Sequence, residues 1–95
     1  MRVEWAPLAL ADREAIFDFI EATSPRTAAT IDERIAAAVR RLSYFPGIGR
    51  PGRVRGTREL VVDGAHLVIA YRCDEESVAV LRVLHTSRRW PATLD

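Results

Sequence analysis

The chain has 95 residues, 48% hydrophobic and 28% charged, with a net charge of +1, which suits one small folded domain over residues 1–95 and leaves no room for a second core. Its single cysteine, Cys73, excludes an internal disulfide, and one thiol with two histidines is no framework for structural zinc, so neither metal nor cofactor is expected and a reducing cytoplasm fits best. No run approaches the ~20 apolar residues of a membrane span, so no membrane contact and no secretory leader are expected.

Residues 2–5 alternate polar and apolar and stop before Pro7, the pattern of a short strand with Val3 and Trp5 facing a core. From Leu8 to Ala22, Leu8, Ala9, Ala15, Ile16, Phe19 and Ile20 recur near helical spacing, with Asp12, Glu14, Asp18 and Glu21 on an acidic outer face. Ser24 then caps a second helix with Pro25 in its first turn. Its apolar positions Ala28, Ile31, Ile35, Ala38, Val39 and Leu42 step by three and four until Tyr44-Phe45-Pro46-Gly47 ends it, with Phe45 expected to plug the end of the hairpin.

Residues 46–56, PGIGRPGRVRG, are too rich in glycine and proline for regular structure and predict a surface loop. The runs at 58–62, 66–73 and 77–85 are rich in β-branched residues and are separated by Asp63-Gly64 and Asp74-Glu75-Glu76, so three strands in an antiparallel meander follow. The order β-α-α-β-β-β predicts an α+β fold with a helical hairpin on one face of a mainly antiparallel four-stranded sheet.

The segments VEWAPLALADREAIFDFI, FPGIGRPGRVRGTREL and LRVLHTSRRWP, in this order, resemble toxins of the RelE/ParE superfamily from bacterial type II toxin-antitoxin modules. The resemblance spans residues 2–91, and the middle and last motifs look most like the plasmid-stabilisation branch grouped with RelE. It implies a small growth-arresting protein neutralised by a cognate RelB- or ParD-like antitoxin, which wraps it with a helix or an extended segment. Operator DNA would be reached only through that antitoxin. The target stays open: RelE-like members cut mRNA on the ribosome without metal, ParE-like members poison DNA gyrase without catalytic residues, and a silent member would only bind its antitoxin. The branch resembled and the arginine supply favour mRNA cleavage.

All 14 basic side chains are arginine, and they concentrate in the second half of the chain. Arg50, Arg53, Arg55 and Arg58 fall within nine residues, followed by Arg72, Arg82, Arg88 and Arg89. A phosphate-bearing partner suits such a cluster; pairing with Glu4, Glu59 or the acids at 74–76 is the structural alternative. Strand alternation predicts Arg58, Arg72 and Arg82 together on the sheet face away from the helices. His85 matches the histidine that serves RelE-like ribonucleases as general acid. It shares a face with Arg82 only if the strand ends or bulges between them. The family's glutamate base falls at Gly52 and an early-strand arginine at His66, so the remaining catalytic set is His85 as acid, His66 as base, and Arg82 and Arg58 on the phosphate. Arg50, Arg53, Arg55, Arg72, Arg88, Arg89 and Trp90 are the candidate contacts to RNA or another target.

Overall fold

The computed structural model describes residues 1–94. In chain order it contains β1 (Arg2–Trp5), α1 (Pro7–Glu21), α2 (Pro25–Tyr44), β2 (Arg50–Pro51), β3 (Arg58–Val62), β4 (Leu67–Cys73) and β5 (Ser77–His85). The five strands form one sheet in the order β1-β5-β4-β3-β2, with β1 parallel to β5 and the other neighbours antiparallel. The α+β architecture and the hairpin on one face are as the sequence predicts. The fifth strand is the difference. Arg50 and Pro51 pair with Glu59 and Arg58, inside the loop expected to be irregular, and the ladder ends there because proline has no amide to continue it.

The core is built by alternation. Leu67, Ile69 and Tyr71 of β4 and Val78, Val80 and Val83 of β5 meet Ile35, Val39 and Leu42 of α2. The alternation on β5 changes phase at a bulge: Tyr71 lies opposite Val80 but Ala70 lies opposite Arg82, so Leu81 is the extra residue. That residue points to the other face, where it joins Ala70 and Leu94, flanked by Val54 and Trp90. The face away from the helices is therefore partly covered by the arginine-rich loop and the C-terminal tail, where the sequence suggests an open one.

Local interactions fix the ends of the elements. Ser24 Oγ accepts the Thr27 amide at 3.2 Å and starts α2. Tyr71, buried, donates its hydroxyl to the Pro46 carbonyl (2.7 Å) and accepts the Gly49 amide (2.9 Å), pinning the chain that leaves α2. A Cβ at position 49 would stand 2.6 Å from that hydroxyl, so the close approach requires glycine. Tyr71 thus does what was expected of Phe45, which is 62% exposed. Gly64 takes the left-handed conformation (φ +72°) in the β3–β4 turn, and Asp74 Oδ1 accepts the Glu76 and Ser77 amides in the β4–β5 turn.

The apolar stripe of α1 departs most from expectation. Only Ala9 is buried; Ile16 and Ile20 are half-covered, and Phe19 is 75% exposed. The physical reason is placement: α2 lies across the centre of the sheet, whereas α1 lies out over β5, where the sheet narrows.

Candidate functional site: a cleft between the first helix and the last strand

Pro7 turns the chain out of β1 into α1, so β1 pairs only with Ser77–Val80 of β5. Beyond Val80 the outer edge of β5 has no strand beside it. α1 stands off this edge and leaves a cleft of about 410 Å³. Ile16, Phe19 and Ile20 form its apolar wall, Arg82 and His85 its sheet side, and Arg88, Arg89 and Trp90 of the tail its far end.

At the floor, Asp12 grips Arg82 through two bonds, to Nε at 2.7 Å and to Nη2 at 2.9 Å, and also accepts the Val83 amide at 3.0 Å. Both side chains are largely shielded from water, where charge-assisted fork geometry is strongest. Arg82 therefore ties β5 to α1. His85 lies opposite Leu67 and lines the same cleft. Burial first, then repulsion from Arg88, holds its pKa below the ordinary histidine value of 6.5, which favours the neutral ring near pH 7. The β5 bulge precedes Arg82 instead of separating it from His85; the two share a site because the cleft runs along the strand's edge and is reached from both faces.

The second histidine is elsewhere. His66 is exposed in the β3–β4 turn, and its carbonyl accepts the Thr86 amide. With residue 66 opposite 86 and Leu67 opposite His85, His66 and His85 belong to opposite faces of the ladder. Arg58 is likewise not beside Arg72: it lies opposite Tyr71, on the helix side, and donates to the carbonyls of Gly49 (2.8 Å) and Gly47 (3.4 Å). Arg82, opposite Ala70, does stand on the face of Arg72 because of the bulge, but its guanidinium turns at the strand edge to Asp12. Of the three, Arg72 alone is exposed and without an ion-pair partner among the described residues on the far face, opposite Ala79.

The loop arginines are mostly spoken for. Glu59, only 4% exposed, accepts Arg50 at 3.1 Å and the Arg53 amide and guanidinium at 2.8 and 3.2 Å. Burial by itself would raise the Glu59 carboxyl, but those bonds outweigh it and hold it below the ordinary range. Arg53 stacks on Trp90, 3.5 Å from the ring centroid, and Trp90 Nε1 donates to the His85 carbonyl at 3.2 Å. This chain of contacts, from Glu59 through Arg53 to Trp90, positions the tail beside the cleft. Among the described residues, Arg55, Arg72, Arg88 and Arg89 have no ion-pair partner; only the last two belong to the cleft.

Of the residues singled out from sequence, the cleft gathers Arg82, His85, Arg88, Arg89 and Trp90. It leaves Arg50, Arg53, Arg55, Arg58, Arg72 and His66 outside. Two of its main components are Asp12 and Phe19, which the helical pattern assigns to the outer face and the core; nothing local to either distinguishes them from their neighbours on the helix.

This fold and cleft have relatives. Residues 3–90 match the family described as ParE toxin of type II toxin-antitoxin system, parDE. A curated relative from Sinorhizobium fredii (strain NBRC 101917 / NGR234), called "Putative toxin Y4kP", is 39% identical over 93 residues, covering 98% of this chain and 96% of that protein. A solved structure titled "Chromosomal ParDE TA system from P. aeruginosa" superposes with a TM-score of 0.79 at 27% identity, over 90% of this chain and 95% of that one. The chain belongs to the ParE toxin family of type II toxin-antitoxin systems. It is the toxin component of such a module, and that membership implies a cognate antitoxin as its partner.

Proposed function

We propose that this toxin arrests growth by binding DNA gyrase in the bacterial cytoplasm, without chemistry of its own, and that its antitoxin masks it and carries it to operator DNA. The observation that carries the non-catalytic reading is the state of the cleft's titratable groups. Metal-free RNA cleavage needs a base for the 2′-hydroxyl and a protonated acid for the leaving oxygen. The carboxylate at hand, Asp12, is committed to Arg82 and the Val83 amide. His66, the other candidate base, lies on the other face of the ladder from His85, so no free base stands beside that ring. Membership in the ParE branch supports the same reading. What the cleft offers instead is an apolar wall and two uncommitted arginines, suited to gripping a protein surface.

The test is the order of collapse after inducing the toxin without antitoxin. Thymidine incorporation is expected to fall before amino-acid incorporation, and purified toxin to inhibit supercoiling by gyrase. Early failure of protein synthesis, with cleaved mRNA on the ribosome and gyrase unaffected, would return the mechanism to RNA cleavage and make His85 and Arg88 the residues to mutate.

A further inference from the structure

Beyond Thr86 the chain has no ladder to follow. Among the described residues, 87–94 make no hydrogen bond between main-chain groups, and the one side-chain bond from this stretch runs from Trp90 Nε1 to the His85 carbonyl at 3.2 Å. Two side chains therefore hold it: Leu94, buried against Ala70 and Leu81, and Trp90, which lies against Arg53. The Trp90–His85 bond closes the segment 85–90 into a loop that contains both cleft arginines, Arg88 and Arg89. Where those two guanidinium groups stand depends first on Trp90, their immediate neighbour in the chain.

Trp90 in turn depends on Arg53, which lies outside the cleft. The turn that carries Arg53 is closed by its own bonds, the Gly52 amide to the Thr57 carbonyl at 2.8 Å and the Thr57 hydroxyl to the Val54 carbonyl at 2.6 Å. Glu59, its side chain only 3% exposed, accepts the Arg53 amide at 2.8 Å and then Nε and Nη2 at 3.2 and 3.3 Å. The edge of the guanidinium is spent on that carboxylate, and one face is spent on the indole, 3.5 Å from the ring centroid. A planar fork can bond along its edge and stack on its face at once, which a lysine ammonium cannot do. Arg53 thus fits a support better than it fits a hand held out to a target, although its side chain is 47% exposed.

We propose that Arg53 is a positioning residue of this toxin: anchored by Glu59, it holds Trp90 and through it sets Arg88 and Arg89 at the cleft, without touching the target itself. The proposal rests on the reading that the cleft grips the target and adds two residues outside the cleft that control the grip. Arg88 and Arg89 supply the attraction for an acidic protein surface; Glu59, Arg53 and Trp90 fix where that attraction is presented, so that less ordering remains to be done on binding.

The test is a double-mutant cycle on the full-length toxin, read as the concentration that half-inhibits supercoiling by gyrase and as growth arrest on induction. Arg53→Gln and Trp90→Ala are each expected to weaken the toxin roughly tenfold, the scale of a lost cation–π contact that is partly shielded from water. In the Trp90→Ala background Arg53→Gln is expected to add nothing further, because its effect passes through the indole. Nuclear magnetic resonance supplies a readout independent of activity. The Trp90 indole N–H signal, distinguished from that of Trp5 by its loss in Trp90→Ala, is expected to shift and to exchange faster in Arg53→Gln and in Glu59→Gln, with the Trp5 signal in place. Should Glu59→Gln fold poorly, Arg53→Gln decides the matter. Additive losses in the double variant would make Arg53 a direct contact and overturn the inference, as would full potency or an unmoved Trp90 signal in Arg53→Gln. A wild-type toxin that halts growth but leaves supercoiling untouched would overturn the gyrase reading alone, and the growth-arrest cycle then judges the inference. A chain that does neither would overturn the reading of the cleft, and the inference with it.

Discussion

Asp12 shows at the scale of a single residue how a side chain that reads as solvent-facing becomes structural. It joins α1 to β5 by satisfying a guanidinium and a strand-edge amide at once. Removing it leaves Arg82 and the Val83 amide partly shielded and unpaired, a change that costs more than the bond itself contributes. Asp12→Ala and Arg82→Ala are each expected to destabilise the fold by about 1–3 kcal/mol, read as lower midpoints in urea unfolding, with toxicity falling in proportion. Retained stability with toxicity abolished in Arg82→Ala alone would instead mark Arg82 as acting on a target. Glu59 is a second such residue, and the sequence half-reveals it: as an acid between arginines it is an obvious partner, but its burial and its grip on the Arg53 amide depend on the β2–β3 pairing.

Capping and periodicity account for most of the architecture at the scale of elements. α2 begins at Ser24, carries Pro25 in its first turn, and buries Ala28, Ile35, Ala38, Val39 and Leu42, close to what spacing alone predicts. Ser24→Ala is expected to cost about 1 kcal/mol by orphaning the Thr27 amide, measured as a shift in thermal midpoint; no shift would mean that water caps the helix equally well. α1 is different because an apolar stripe states what a helix prefers to bury, and tertiary placement decides whether anything covers it. Here α1 reaches past the end of β1, and Phe19 stays in water. The same missing coverage opens the β5 edge, so the exposed stripe and the incomplete ladder have one cause.

For the whole molecule, the charge pattern resolves into two populations. Arg50, Arg53 and Arg82 are internal ties, as are Arg13 to Asp32 across the helical hairpin and Arg58 to the loop carbonyls. Among the described residues Arg55, Arg72, Arg88 and Arg89 make no ion pair, and of these Arg88 and Arg89 border the cleft. The ties make stability depend on pH with a definite sign. Glu59 and Asp32 have folded-state pKa values below their ordinary ones, so their contribution is present above the unfolded carboxylate range and lost as pH falls through the folded values. His85 is also lowered and acts in the same direction, with folding opposed as pH drops below about 6.5. Stability should therefore decline steadily from pH 7 towards pH 3, and Glu59→Gln should flatten the acidic part of that decline. Urea midpoints that are level between pH 7 and pH 4 would contradict this assignment.

The sequence by itself determines the element order, the boundaries of both helices to within about a residue, the meander, the family, and the presence of more arginine than the acids nearby can balance. These follow from local physics: 3.6- and 2-residue periodicity, caps, turn residues, and motifs contiguous along the chain. Tertiary structure alone decides which arginines are free, because their partners lie far away in sequence: Asp12 and Arg82 are 70 positions apart. It also decides that His66 and His85 stay apart, that Arg58 leaves the face of Arg72, and that Arg82 spends its guanidinium on Asp12. One bulged residue, Leu81, shifts the phase of β5, and no pattern within a single strand reveals which neighbour it will fail to match. The open edge of β5 beyond Val80 is decided in the same way, by where β1 stops pairing and α1 begins.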